Sequence, residues 1–162
     1  HNVGIMPLIE EGSKSPAFSL VDQDGKTHRL KDYAGRPVVL YFYPKDDTPG
    51  CTQEAKAFSC LAERFEKAGA VVVGVSPDSI KSHQKFRDKH ALSVRLVADE
   101  DKTVSESYGV WVEKSMYGRK YMGVERATFL IDKSGKIVRS WRKVKVPGHA
   151  EEVLAAAEAL KG

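Results

Sequence analysis

Only two cysteines, Cys51 and Cys60, occur in 162 residues, too few for a disulfide scaffold in a chain of this size. They form no Cys-x-x-Cys pair, so the paired thiols of disulfide oxidoreductases are missing. Runs of about 18 apolar residues, the length of a membrane span, are absent as well. The first residues, His1 to Met6, lack a basic stretch followed by a sustained apolar one, so no signal peptide is expected. Charge of one sign is in short supply: 26 Lys and Arg face 22 Asp and Glu, a net +4. Those charges are scattered, which argues for solubility and against a nucleic-acid partner. The spacing of His1, His28, His83, His90 and His149 matches no metal motif. No metal or cofactor is therefore expected, nor a histidine partner for a cysteine. Repeats, low-complexity tracts and linkers are likewise missing.

What is present reads as one globular unit. Hydrophobic residues make up 41% and charged residues 30%, enough to build a single core at this length but not two domains. His1 in place of Met points to a processed or appended end. Residues 1–12 are therefore taken as an extension and 13–162 as one domain. Phe18, Leu20 and Val21 lead into Asp22-Gln23-Asp24-Gly25, and Lys26 to Leu30 returns. That is a hairpin. Asp22 and Asp24 also resemble half a calcium loop, but the remaining ligands and the closing Glu are absent.

Val38 to Tyr43 is an unbroken apolar run, the mark of a strand buried on both faces. Thr52 to Lys67 carries Ala55, Phe58, Leu61, Ala62 and Phe65 at helical spacing, and Gly69 ends that helix. A strand at Ala70–Val75, a helix over Ser79–His90, a short strand at Leu96–Ala98 and a short helix over Thr103–Tyr108 follow. Thr128–Asp132 and Lys136–Trp141 form a hairpin across Lys133-Ser134-Gly135, and Ala150–Leu160 is an amphipathic helix. The order β-α-β-α-β-α-β-β-α is α/β: a thioredoxin-like fold, with a central mixed sheet flanked by helices and an N-terminal hairpin extension.

The chemistry concentrates where the first buried strand meets the first long helix, in Pro44-Lys45-Asp46-Asp47-Thr48-Pro49-Gly50-Cys51-Thr52. Sites in open α/β sheets form beyond the carboxyl ends of strands. Cys51 falls at a helix start, where unpaired amides and the helix dipole favour an anion, and the thiolate is a thiol's reactive form. Thr48 is placed to turn its hydroxyl towards the sulfur or a bound oxygen. Gly50 admits close backbone approach, and Pro44 caps the strand.

Pro-x-x-x-Thr-x-x-Cys, present as Pro44, Thr48 and Cys51, resembles the active-site pattern of the peroxiredoxins. The fuller string from Phe42 to Thr52, with Glu54, is similar to the bacterioferritin comigratory protein (PrxQ) branch. Gly74-Val75-Ser76, Ser82-His83, Met116-Tyr117-Gly118, Glu125 to Phe129 and Ser140 to Val144 extend the likeness to nearly the whole chain from Ser13. The resemblance implies an antioxidant thiol peroxidase that reduces hydrogen peroxide and organic hydroperoxides through a sulfenic acid at Cys51. It also implies recycling by thioredoxin or another thiol, a cytoplasmic location and a monomer. By the same resemblance Arg126 is the active-site arginine, Thr48 contacts peroxide and Pro44 shields the pocket. Gly50 supplies an amide, and Glu54 either orients Arg126 or is a plain helix N-terminal carboxylate.

The chain departs from this branch in its second thiol. Relatives carry a resolving cysteine five residues after the first, where Lys56 stands here, or in the next helix, which has none. Cys60 lies nine residues on, about 13.5 Å along an intact helix, whereas a disulfide tolerates about 7 Å between Cα atoms. One-Cys behaviour with an external thiol is the favoured expectation. Cys60 as resolving residue would require the helix to unwind. Arg139 to Lys145 reads as a strand end with a cationic edge, and Trp111 and Trp141 as packing residues. Met116, Tyr117 and Met122 are expected either at the pocket wall or in the core. A redox switch at Cys51 without turnover is the rival from a different class.

Overall fold

The computed structural model describes residues 9–161 and the side chains of 9–160; the beginning of the extension expected over 1–12 lies outside the described residues. β1 (Ser19–Asp22) and β2 (Thr27–Arg29) form the first hairpin. β3 (Val38–Phe42) runs parallel to β4 (Val71–Ser76), which runs parallel to β5 (Arg95–Ala98). β8 (Ala127–Ile131) pairs antiparallel with β3, and β9 (Ile137–Trp141) with β8. The main sheet has the order β2-β1-β5-β4-β3-β8-β9, the mixed thioredoxin-like sheet expected from the sequence.

β3 lies near the middle of that sheet, which is why its residues are all buried. Its side chains alternate between two cores, as strand geometry demands. Val39, Tyr41 and Tyr43 pack with residues of α1 (Pro49–Cys60), α2 (Ala62–Lys67), α3 (Ile80–His90) and α5 (His149–Lys161). Val38, Leu40 and Phe42 pack on the other face with Phe18, Val104 of α4 (Thr103–Ser107), Tyr108 and Phe129. Burial of each such aromatic is worth about 1.5–3 kcal/mol.

Two sequence expectations need correcting. The helix expected over Thr52–Lys67 starts earlier, at Pro49, and breaks at Leu61, whose φ of −96° and ψ of 8° leave the helical region. Beside the break, Ser59 turns to the next layer. Its hydroxyl accepts from the amides of Ser93 (3.0 Å) and Val94 (3.4 Å), and its carbonyl accepts from Ser93 Oγ (3.4 Å), in competition with the helical ladder.

The second correction concerns residues 111–124, where no strand was expected. β6 (Trp111–Met116) and β7 (Arg119–Val124) form a separate two-stranded hairpin. Tyr117 and Gly118 turn it with φ of 53° and 77°, the doubly left-handed turn suited to a two-residue loop. Met116 (56% exposed), Tyr117 (98%) and Met122 (50%) therefore lie on an arm in solvent and not in the core. Trp111 and Trp141 do pack, each half-buried against one core. β9 is an edge strand as expected, but of the basic stretch only Arg139 lies in it; Arg142, beyond its end, is partly buried and paired with Glu125 at 2.7 Å.

Candidate active site

Thr48 is the N-cap of α1 and has extended backbone, and Pro49, Gly50 and Cys51 occupy its first three positions. Proline suits the first position because its missing N–H would be unpaired there anyway. The first helical bond runs from the Thr52 amide to the Thr48 carbonyl at 2.8 Å. The amides of Gly50 and Cys51 precede it and have no intrahelical acceptor. The Cys51 side chain is 2% exposed and lies beside these donors at the positive end of the helix.

Arg126 closes the site from far along the chain. It occupies the two-residue link between β7 and β8, and its carbonyl accepts from the Val144 amide at 3.0 Å. β8 lies directly against β3, with Ala127 opposite Phe42, so the arginine emerges at the strand end from which α1 departs. Its Nη2 donates to Cys51 Sγ at 3.4 Å, and its Nη1 donates to Glu54 Oε1 at 2.7 Å. A Cβ on Gly50 would lie 3.1 Å from Nη2; the glycine leaves room for the guanidinium. Burial weakens the Arg126 charge, but Glu54 and Cys51 outweigh it and hold its pKa above the ordinary arginine value.

Glu54 is a buried carboxyl, 1% exposed, on the same helix one turn beyond Cys51. Desolvation raises its pKa from 4.5 to about 7, against the opposing pull of Arg126. Among the described residues its Oε2 has no hydrogen-bond partner, nor has the buried hydroxyl of Tyr41. Burial holds that phenol well above the ordinary tyrosine value, and the charge of Glu54 adds to the effect. Tyr41 stacks on Phe58, with ring centroids 4.6 Å apart, making an apolar floor under the ion pair.

The loop before the helix is fixed by a polar network that the sequence pattern did not disclose. Asp46 accepts from Tyr43 Oη (2.6 Å) and Ser82 Oγ (2.8 Å), and its Oδ2 lies 2.7 Å from His83 Nδ1. His83 Nε2 donates to the Val97 carbonyl at 3.0 Å, and the Asp46 amide donates to Asp78 at 2.8 Å. Asp46, Asp78 and His83 thus bring metal-ligand types within 4.8 Å of one another, a grouping that histidine spacing did not reveal. Hydrogen bonds engage the potential ligands, so the cluster reads as a clamp on the loop. Asp47, held at φ 58°, reaches Lys89 (2.7 Å) and His90 (2.8 Å) of α3.

Cys51, Gly50, Glu54 and Arg126 therefore converge, and Pro44 follows β3 half-buried. The Thr48 hydroxyl donates to the Lys45 carbonyl at 2.8 Å, not to the sulfur, which leaves its lone pairs free to accept. Cys60 stands apart as the exposed last residue of α1, and both thiols are free. Because the helix break comes after Cys60, both cysteines sit on one continuous helix, so the separation of about 13.5 Å applies.

The profile of the AhpC/TSA family matches residues 12–140. Peroxiredoxin Bcp of Bacillus subtilis is 49% identical over 90% of this chain and 93% of its own length. The structure of Xanthomonas campestris Peroxiredoxin Q superposes with a TM-score of 0.85 at 46% identity, covering 90% of this chain and 92% of that one. The Xylella fastidiosa PrxQ structure gives a TM-score of 0.90 at 41% identity, covering 95% and 98%. This chain belongs to the AhpC/TSA family, in its Bcp or PrxQ branch of peroxiredoxins, which are thiol-dependent peroxidases.

Proposed function

We propose that Cys51 is the peroxidatic residue and that the chain reduces hydrogen peroxide and small organic hydroperoxides. The observation that carries this reading is the Arg126 fork, one nitrogen on Cys51 Sγ at 3.4 Å and the other on Glu54 at 2.7 Å. The Cys51 thiolate attacks the terminal oxygen of ROOH. An S–O bond forms, the O–O bond breaks, and the leaving alkoxide or hydroxide takes up a proton. Cys51 becomes a sulfenic acid.

Negative charge moves from sulfur to the leaving oxygen, so donors fixed along that path lower the barrier. Arg126 and the amides of Gly50 and Cys51 are those donors, and Thr48 Oγ1 accepts a hydrogen bond from the peroxide O–H, which stays on the transferred oxygen. Pro44 excludes water, and Glu54 orients the guanidinium. A Xanthomonas campestris bacterioferritin comigratory protein, 46% identical to this chain, has a solved structure tied to alkyl peroxide reduction. That agrees with the substrate class.

A second thiol condenses with the sulfenic acid to a disulfide, releasing water, and a further thiol reduces that disulfide to return Cys51 to its thiol. The separation of Cys60 from Cys51 favours an external thiol, with thioredoxin as donor. Residues 13–162 act as one domain, and the protein is a cytoplasmic monomer that acts without cofactor or nucleic acid. Among the described residues no helix is long and apolar enough to cross a membrane. The test is steady-state consumption of hydrogen peroxide and cumene hydroperoxide with thioredoxin and its reductase. Wild type and Cys60→Ser should turn over while Cys51→Ser does not. A single stoichiometric reduction that then stops would replace the enzyme with a redox switch.

A further inference from the structure

The unanticipated β6–β7 hairpin carries a cation that the site as described does not use. Lys114 stands mid-strand in β6 opposite Tyr121, and Val112 opposite Gly123 shares its face. The Lys114 stem lies over Gly123: a Cβ there would sit 3.3 Å from Cδ and 3.5 Å from Cε. The missing side chain opens a diagonal path back towards the root of the hairpin, where Val124 leads to Arg126. Lys114 is half-buried, and among the described residues no carboxylate lies within ion-pair distance of its ammonium.

The hairpin root at Val124 is two residues from Arg126, whose Nη2 donates to Cys51 Sγ at 3.4 Å, so the Lys114 stem runs towards the segment that delivers the guanidinium to the thiol. Burial and the like charge of Arg126 hold the Lys114 ammonium below the ordinary lysine range, while the negative charges of Cys51 and Glu125 act the other way. Arg126 is already committed to Glu54 at 2.7 Å; Lys114 has no such partner among the described residues. Arg119, opposite Met116 and so on the same face, adds an exposed cation further out.

We propose that Lys114 is a specificity-determining cation of the peroxidatic site, laid over Gly123 so that it draws negatively charged hydroperoxides to Cys51. The inference rests on Cys51 being the reactive thiol. The bonds made and broken stay as described above; Lys114 acts on which substrates arrive. Cations lining the approach to a site raise the local concentration of anions, an effect that salt screens.

Alkylation of the reduced thiol reads this without peroxide chemistry. In a Cys60→Ser background, rates with anionic iodoacetate and neutral iodoacetamide are compared at low salt. Lys114→Met should lower the iodoacetate to iodoacetamide rate ratio by about threefold to tenfold, and Lys114→Arg should retain it. Gly123→Ala, which crowds the stem but keeps the charge, should move the ratio in the same direction. Salt at about 0.5 M should compress the difference. An unchanged ratio, or a parallel fall with both reagents, overturns the proposal. Peroxide turnover by the same parent reports separately on the peroxidase reading, so the two failures are distinguishable.

Discussion

Replacing Glu54 by Gln tests the electrostatics of the site quantitatively. In the folded protein Glu54 protonates at about 7, against 4.5 for an unperturbed carboxyl. Between those two pH values the folded state binds more protons than the unfolded state, so this group's contribution to stability falls as pH rises. The contribution is fully present below about pH 4.5 and lost once pH passes about 7. A shift from 4.5 to about 7 corresponds to about 3 kcal/mol at 1.36 kcal/mol per pH unit. Glu54→Gln does not titrate. Wild-type stability measured relative to this variant should therefore drop by about 3 kcal/mol from pH 4.5 to 7.5. At about 2–4 °C per kcal/mol for a domain of this size, the difference in Tm should narrow or change sign by about 6–12 °C. The assay is thermal unfolding by circular dichroism, with Cys51→Ser in both proteins to remove the thiol's own titration. A Tm difference independent of pH would mean that Glu54 stays ionised against Arg126 throughout, refuting the dominance of desolvation.

Substitutions at two further residues probe neighbouring groups. Arg126→Ala and Arg126→Lys should each lower kcat/KM for hydrogen peroxide by about 10²–10³-fold, because alanine removes the donors and the single nitrogen of an ammonium does not reproduce the planar fork whose Nη1 and Nη2 serve Glu54 and Cys51. Recovery by lysine to within about tenfold would show that charge alone suffices. Tyr41→Phe should raise the urea midpoint, since the Tyr41 hydroxyl is buried without a partner among the described residues and its desolvation costs about 1–3 kcal/mol. A lowered midpoint would mean that the hydroxyl has a stabilising role.

The sequence carried the frame of the fold because its strongest signals are local. Val38 to Phe42 is apolar throughout and forms a central strand, and Ser79 caps α3 by accepting from the Ser82 amide at 3.1 Å. The β6–β7 hairpin escaped for the opposite reason: most of its residues are exposed, so no burial pattern marks them, and Tyr117-Gly118 is a weaker turn signal than Asn-Gly. Its one cue was a positive-φ turn between two six-residue segments. At the site, residues within one segment were legible from motif and position, as with Thr48 to Glu54. The Asp46–His83 clamp was not, because its members lie 37 positions apart and meet only when α3 docks. The convergence of Arg126 on Cys51 was anticipated through the family motif, and pairing of β8 with β3 supplies its physical cause.

The most direct test is where oxygen lands when reduced protein meets one equivalent of hydrogen peroxide. Trapping with dimedone followed by peptide mass mapping should place the adduct on the peptide bearing Cys51, with Cys60 unmodified and no adduct in Cys51→Ser. An adduct confined to the exposed Cys60, with Cys51 left as a thiol, would contradict the assignment of the buried sulfur beside Arg126 as the peroxide-reducing centre.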